Sequence, residues 1–144
     1  MLAGEAKALH TTKRSSGVDV SDPSLAEAWS RVRSDESADD WCAFTYKGGS
    51  STVLTLLGSG PGGVNELCSV LSEGIVAFCG IRWTVDGRPR FYRLAFVGEE
   101  VAGMKRGKAA LHKNAAFGVL EGATGGDHSF GSISELSSGV LSFT

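Results

Sequence analysis

The sequence lacks several features that would assign it to a specialised class of protein. No apolar run approaches the roughly 20 residues that cross a bilayer, and the N-terminus has no apolar signal-peptide core, so we expect no membrane partner. There are three cysteines in 144 residues, an odd number without a C-x-x-C pair, which disfavours a disulfide framework and fits a reducing cytoplasm. The net charge is −2, which excludes general polyanion binding by the whole molecule.

Chemically active residues are sparse as well. Cys42, Cys68 and Cys79 fall in segments with strand or apolar helix patterns, where we interpret them as small buried hydrophobes. The spacing of His10 and His128 does not suggest a zinc site, and a Cys–His nucleophile could arise only through folding. We therefore expect no metal site, we identify no catalytic constellation, and we expect a binding function instead.

The residues that are present suit one α+β domain over residues 21–144, preceded by a disordered tail over residues 1–20. Hydrophobic residues make up 42% of the chain and charged residues 21%, which suffices for a substantial core. Ser21 or Asp22 can cap a first helix, with Pro23 in its first turn. An apolar stripe then recurs at helical spacing and consists of Leu25, Ala28, Trp29 and Val32.

The rest of the chain alternates between strand and helix patterns. Strands are predicted at 41–47, 52–57, 75–84, 90–98 and 127–131, and further helices at 64–74, 103–120 and from 132 onward. The Asp86-Gly87 pair predicts a tight hairpin turn, and Ser132 with Glu135 matches a capping box for the closing helix. Two hairpins plus one late strand predict a central mixed five-stranded sheet flanked by helices on both faces.

The predicted helix over 103–120 carries the most informative pattern. At about 100° per residue, five cations or potential cations fill one arc of it, namely Lys105, Arg106, Lys108, His112 and Lys113. Met104, Leu111 and Ala115 occupy the opposite side, which we expect to be seated on the sheet while the cations face an acidic partner. Arg90 on the preceding strand would add charge if its side chain points the same way. A solvated helix face is the plain alternative, but clustered like charges repel one another along a helix.

A glycine-rich stretch offers a different function. Gly58, Gly60 and Gly63 follow a strand and precede a helix, where backbone N–H groups could hold the phosphate of a nucleotide substrate. A dinucleotide site also needs an acidic residue at the end of a second parallel strand, but Asp86 lies in a hairpin turn. We therefore expect a flexible loop over Gly58–Gly63, with a phosphate- or nucleotide-binding enzyme as the alternative hypothesis. No nucleic-acid partner is expected, because no aromatic platform accompanies the basic helix.

From about residue 24 to residue 141 the chain resembles the coactosin group of the actin-depolymerising factor homology family. The matching segments are residues 28–35 (AWSRVRSD), the strand 41–46 and, most clearly, residues 91–108 (FYRLAFVGEEVAGMKRGK). The last segment looks like the coactosin strand that ends in Gly-Glu-Asn-Val-Ser-Gly, followed by the basic start of the long helix. The order of the predicted elements is also the order in that family.

This resemblance implies binding along the sides of actin filaments, without a cofactor or enzymatic activity, and we expect a cytoplasmic monomer at the actin cytoskeleton. In the family, contacts come from the start of the long helix and from a basic residue that opens the preceding strand. The matching positions are Lys105, Arg106 and Lys108, then Arg90, with His112 and Lys113 as weaker candidates. Severing cofilins carry a Pro and a Lys-Ser-Lys-Met stretch at this helix. Neither occurs here, which predicts filament decoration without strong severing.

Overall fold

Five strands form one mixed sheet with helices on both faces, as predicted, and each face carries two helices. The computed structural model describes residues 17–139, and all elements below lie in this range. The strands are β1 (Trp41–Tyr46), β2 (Leu54–Gly60), β3 (Val76–Val85), β4 (Arg88–Val97) and β5 (Gly126–Phe130). The helices are α1 (Pro23–Arg33), α2 (Gly63–Val70), α3 (Gly103–Val119) and α4 (Ile133–Gly139). The strand order across the sheet is β2-β1-β3-β4-β5.

Two hairpins and one crossover generate this order. β1 pairs with β2, and β3 with β4, both antiparallel, and the hairpins join through antiparallel pairing of β1 with β3. β5 pairs parallel with β4, so the chain must cross back over the sheet between them, and α3 makes this crossover. Asp86 and Gly87 have φ angles of 51° and 76°, which a tight two-residue hairpin requires, so the predicted turn is confirmed.

Alternation along the strands builds a hydrophobic core on each face of the sheet. Phe78 and Ala95 belong to the core beneath α1 and α3, whereas their neighbours Cys79 and Leu94 belong to the core beneath α2 and α4. The first six residues of β3 are all buried, as expected for a central strand covered on both faces. The sheet therefore separates two helical layers.

α1 follows the sequence prediction. Asp22 caps it, since its Oδ1 accepts hydrogen bonds from the Ser24 N–H at 2.9 Å and from the Ser24 hydroxyl at 2.7 Å, and Pro23 follows at the first position. All four residues of the predicted apolar stripe are buried. Trp29 also donates from Nε1 to the Glu121 carbonyl at 2.9 Å, which connects α1 to the segment after α3.

Residues 17–20 belong to the folded domain, so the tail predicted over residues 1–20 is wrong at its end. The Val18 side chain is buried in the core beneath α1 and α3. The Asp19 N–H donates to the Thr52 carbonyl at 2.7 Å, and its carbonyl accepts the Leu54 N–H at 3.0 Å. One buried valine and one bridge are too short a signal to stand out from the polar residues around them. Residues 1–16 of the predicted tail lie outside the described residues.

The glycine-rich stretch is also more regular than predicted, because β2 continues through Gly60 and the expected loop is wrong for residues 58–60. The Trp41 ring lies against Gly58, where an added Cβ would come within 3.0 Å of it. The Glu66 carboxylate fills the space beside Gly60 in the same way. The glycines here allow side chains from β1 and α2 to pack against the strand.

α4 begins with the predicted capping box. The Ser132 hydroxyl accepts the Glu135 N–H at 3.1 Å, and Glu135 Oε1 accepts the Gly131 N–H at 3.0 Å, one residue before the cap. Leu136 is buried in the core that α4 shares with α2.

Candidate functional site

α3 docks on the sheet with a different face from the predicted one. Its buried residues are Ala109, His112, Ala116 and Phe117. Met104 and Leu111, which were expected to be seated on the sheet, are 80% and 69% exposed. The predicted orientation of this helix is therefore wrong, since its large apolar side chains face solvent and part of the cationic arc faces the protein.

Two small residues and one satisfied histidine account for this orientation. Ala109 and Ala116 leave room for the helix to lie close to the sheet. His112 is 4% exposed, and its Nδ1 lies 2.6 Å from the Tyr46 hydroxyl, which avoids the cost of an unpaired buried ring nitrogen. Burial, assisted by the charge of Lys108, lowers the pKa of His112. His112 is therefore a core residue and not an exposed contact, contrary to the prediction.

Lys105 and Lys108 do project from the first turns of α3. Both residues are exposed, and the Lys108 Nζ lies 3.3 Å from the Ser51 hydroxyl in the β1–β2 loop. The ion pairs found among residues 17–139 involve Arg31, Arg82 and Arg93, none of which lies on α3. Within the described residues, therefore, no carboxylate forms an ion pair with the cations of this helix.

Arg106 is also exposed, but its guanidinium turns back onto the β4–α3 turn (residues 98–102). Its Nε donates to the Val101 carbonyl at 3.0 Å, and its Nη2 donates to the carbonyls of Gly98 at 2.8 Å and Glu99 at 3.2 Å. A guanidinium presents a rigid fork of donors, which suits several carbonyls held in one turn. The structure therefore gives Arg106 a bonding role within the protein that the sequence did not predict.

Lys113 lies on the flank of α3 that faces β5. Its Nζ is 6.0 Å from the centre of the Phe117 ring, and it borders, with Arg106, an apolar groove of about 340 Å³ between α3 and β5. Lys108 lies on the opposite flank, beside the β1–β2 loop. The cations predicted to form one arc are thus divided between two flanks of the docked face.

Arg90 lies in a different part of the molecule. It pairs with Trp83 near the β3–β4 hairpin, and strand alternation places it on the sheet face covered by α2 and α4. α3 covers the other face and starts beyond Val97, about 23 Å further along the same strand at 3.3 Å per residue. The structure therefore does not bring Arg90 together with Lys105.

The exposed side of α3 combines apolar and cationic side chains. We refer to Met104, Lys105, Lys108 and Leu111 together as the α3 surface. The sequence prediction missed Met104 and Leu111 as candidate contacts because it buried them. The sequence does contain a pattern for the face that docks on the sheet, since Ala109, His112 and Ala116 recur at spacings of three and four residues. Small and polar residues contribute little to helical hydrophobic periodicity, so this pattern is weak.

The start of α2 is not open to an external anion. Glu66 Oε1 accepts hydrogen bonds from the Gly62 N–H at 3.1 Å and from Trp41 Nε1 at 2.8 Å. Asp40 Oδ1 accepts the Gly63 N–H at 2.9 Å, and burial raises the pKa of Asp40 despite this bond. Two carboxylates of the protein therefore occupy the N–H groups of Gly62 and Gly63, and their charge disfavours a phosphate at this helix start. This geometry does not support the nucleotide-binding alternative.

The cysteines do not suggest a second site. Cys42 and Cys79 are buried, Cys68 is half-buried, and all three are free thiols. Burial raises the pKa of Cys42 to about 12, which keeps its thiol protonated near neutral pH. Among residues 17–139 there is no group of three His, Cys, Asp or Glu residues suited to a metal ion. No helix in this range is long and apolar enough to cross a membrane.

Comparison with known proteins points to one family. The family model for cofilin/tropomyosin-type actin-binding proteins matches residues 17–141. The drebrin-like protein of Mus musculus is 37% identical over 103 residues, which are 70% of this chain and 23% of the relative. The chain thus spans about a quarter of the length of that relative. Coactosin of Dictyostelium discoideum is 29% identical over 108 residues, which are 72% of this chain and 73% of that protein.

Solved structures share the same fold. Coactosin from Entamoeba histolytica superposes with a TM-score of 0.77 at 20% identity, covering 89% of this chain and 94% of that one. Human coactosin-like protein gives 0.74 at 21% identity, with coverages of 84% and 92%. Mouse coactosin, described as an actin filament binding protein, gives 0.70 at 20% identity over 87% of each chain. At these identities the likeness establishes the fold, a mixed sheet between two pairs of helices.

Proposed function

This chain belongs to the cofilin/tropomyosin-type family of actin-binding proteins, and from this premise we propose that it binds the sides of actin filaments through the α3 surface. One observation carries the proposal. Met104 and Leu111 are 80% and 69% exposed on the side of α3 that faces away from the sheet, with the exposed Lys108 between them and the exposed Lys105 in the first turn. Exposed large apolar side chains next to cations fit a partner that buries the apolar side chains and carries negative charge opposite the cations.

The two kinds of side chain have different tasks in this proposal. Lys105 and Lys108 attract the acidic surface of actin and orient the encounter, which makes binding sensitive to salt. Met104 and Leu111 supply the hydrophobic contact, worth about 1.5–3 kcal/mol for a fully buried side chain of this size.

The other predicted contacts take secondary roles. Lys113 lies on the β5 flank of α3, so it contributes to the electrostatic field more than to direct contact. Arg106 and His112 act through the structure of the helix and its turn, since both are bonded to other parts of the chain. The primary contacts are therefore the four residues of the α3 surface.

Arg90 forms a second contact, separate from the α3 surface. Arg90 lies about 23 Å from Val97, where β4 ends before the turn into α3, and on the sheet face opposite to α3. Two separate patches can contact two neighbouring actin subunits in a filament. A single actin monomer can bind only one of the two patches. This separation supports a preference for filaments over monomeric actin.

Co-sedimentation with filamentous actin tests the α3 surface. The double variant K105E/K108E should lower filament affinity about a hundredfold, since each reversal turns an attraction into a repulsion. Its melting temperature should stay close to that of the unaltered protein because both side chains are exposed. Lys113→Glu makes the same kind of charge change on the same helix and should have a much smaller effect. Unchanged pelleting of the double variant would refute the proposed surface.

Arg90→Glu tests the second contact. It should weaken pelleting with filaments and leave binding to monomeric actin unchanged, whereas K105E/K108E should weaken both. Equal losses for filament and monomer on changing Arg90 would show that the two patches do not engage separate subunits.

Filament decoration without strong severing completes the proposal, together with a monomeric state and a place at the cytoplasmic actin cytoskeleton. The basis is the absence of the Pro and the Lys-Ser-Lys-Met stretch that severing cofilins carry at the start of this helix. Fluorescence microscopy of single filaments should record constant filament number as the protein is added. A rise in the number of filament ends would contradict this part of the proposal.

A further inference from the structure

The β4–α3 turn is held on one side by the loop that precedes β3. The Gly98 N–H donates to the Ile75 carbonyl at 3.0 Å, and the Glu100 N–H donates to the Glu73 carbonyl at 2.8 Å. The Glu73 side chain adds a third bond, since its Oε1 accepts the Glu99 N–H at 3.2 Å. A Cβ at Gly98 would overlap the main chain of Glu73, so the two segments approach as closely as glycine allows.

Arg106 holds the same turn from the side of the helix. Its guanidinium bonds to three carbonyls of the turn, as described above. Because the donor is charged, these bonds are stronger than those between neutral groups. The turn leads directly into Met104 and Lys105, so its conformation sets where these two side chains lie.

Glu73 also reaches a second helix. Its Oε2 accepts the Ile133 N–H at 3.0 Å, at the first residue of α4. One carboxylate thus joins the turn before α3 to the start of α4. Among residues 17–139, no side chain caps the N-terminus of α3 itself, where Ala102 is the N-cap residue. The start of α3 therefore depends on the bonds to its turn.

We infer that Glu73 and Arg106 form a clamp on the β4–α3 turn, and that both are positioning residues for the α3 surface. This inference rests on the proposed function. It assigns Arg106 an effect on actin binding that does not require contact with actin, although its charge and its place on the helix suggest a contact.

A pair of conservative substitutions separates positioning from contact. Arg106→Lys keeps the charge but loses the fork that bonds to the turn, and should weaken filament pelleting about fivefold. Arg33→Lys makes the same substitution at the end of α1, where the guanidinium donates to the Glu121 carbonyl, and should leave affinity unchanged because it is remote from the β4–α3 turn. If Arg106→Lys pellets like the unaltered protein, Arg106 acts through its charge alone and the clamp is refuted.

A pair of acidic substitutions tests the other half of the clamp. Glu73→Ala and Glu100→Ala each remove one negative charge near the α3 surface, which on electrostatic grounds favours an acidic partner. Glu100 is exposed, so its loss should leave binding unchanged or slightly stronger. Glu73→Ala should weaken binding about fivefold, because two backbone N–H groups lose their acceptor. This change in affinity is opposite in direction to the electrostatic expectation. Equal behaviour of the two variants would overturn the role of Glu73.

Amide hydrogen exchange on the full chain without actin gives an independent readout. Arg106→Lys and Glu73→Ala should speed exchange at residues 99–101, and Glu73→Ala also at residue 133, while exchange within β3 stays slow. Unchanged exchange in both variants refutes the clamp. Faster exchange with unaltered pelleting refutes the positioning role. If the unaltered chain itself fails to pellet with filaments, the proposed function is wrong, and exchange still decides whether the clamp orders the turn.

Discussion

α1 and α3 lie on the same face of the sheet, but they meet it with different side chains. α1 buries its large apolar residues, including Leu25 and Trp29, and exposes polar ones. α3 buries alanines, a histidine and Phe117, and leaves Met104 and Leu111 in solvent. Two helices with the same neighbours thus distribute their apolar residues in opposite ways.

The difference separates stability from binding. The large apolar side chains of α1 are buried in the core, so substitutions there should lower the stability of the fold. On α3 the docked face needs little apolar area because Tyr46 satisfies His112 and the alanines allow a close approach. The large apolar side chains of α3 remain available for a partner, and changes there should act on binding alone.

The largest expected effect is on α1. Trp29→Ala should lower the free energy of unfolding by about 3–5 kcal/mol, because it leaves a cavity in the core. Denaturant unfolding followed by circular dichroism measures this loss. Trp29→Phe retains most of the volume and should cost less, since it loses the hydrogen bond to the Glu121 carbonyl and little else. If Trp29→Ala lowers the free energy of unfolding by less than about 1 kcal/mol, the proposed difference between α1 in stability and α3 in binding is wrong.

The matching change on α3 should act on binding and not on folding. Met104→Ala should change the free energy of unfolding by less than about 0.5 kcal/mol, as exposed substitutions do. It should weaken filament pelleting about tenfold, as expected for a central apolar contact. Val70→Ala is the control, since Val70 is an exposed apolar residue on α2, on the other side of the sheet. A loss of stability in Met104→Ala, or equal pelleting losses in both variants, would contradict this interpretation.

pH should affect the docked face of α3 and not that of α1. The folded state lowers the pKa of His112 from its ordinary value of 6.5, mainly through burial. The unfolded chain therefore binds the proton more readily, so this contribution to stability is complete above about pH 6.5 and is lost as the pH falls through the lowered folded pKa.

Thermal unfolding between pH 7.5 and pH 5 measures this effect on His112. His112→Gln keeps a hydrogen-bonding side chain that does not titrate, and should flatten the pH dependence relative to the unaltered protein. Parallel curves for the two proteins would mean that His112 does not contribute to the pH dependence of stability.

The smallest expected effect concerns a third helix start, that of α2. Its Gly62 and Gly63 N–H groups are occupied by Glu66 and Asp40, whereas the α3 surface has no carboxylate partner among the described residues. ATP, NAD or pyrophosphate should therefore leave the melting temperature unchanged in differential scanning fluorimetry. A rise that saturates with ligand concentration would revive the nucleotide-binding alternative.

Most of the fold could be predicted from the sequence because its elements carry large, unambiguous signals. α1 has a single apolar stripe, β3 is a continuous apolar run, and Asp86-Gly87 permits one kind of turn. The errors occur where glycine or a short segment decides the structure. Residues 58–60 were predicted as a loop because of their glycine content, whereas the Trp41 ring on the neighbouring strand packs against Gly58.

The candidate site was predicted only in part, for a different reason. α3 has two possible docking faces, and the choice between them depends on Tyr46, a residue of another element whose hydroxyl accepts or donates to His112. Lys105 and Lys108 were correctly placed at the surface because they extend from the helix start. Glu73 gave no signal at all, since its bonds are to main-chain groups far away in the sequence.

The central claim is that the outward side of α3 contacts actin, and a methyl label on methionine tests it most directly. The sequence contains two methionines, Met1 and Met104, so ¹³C-methyl labelling gives two NMR signals, which Met104→Leu assigns. Addition of filamentous actin, at concentrations where the protein pellets, should abolish the sharp Met104 signal, and latrunculin-bound monomeric actin should shift it. A Met104 signal that keeps its position and width in the monomeric complex would show that actin is bound elsewhere and would contradict the account.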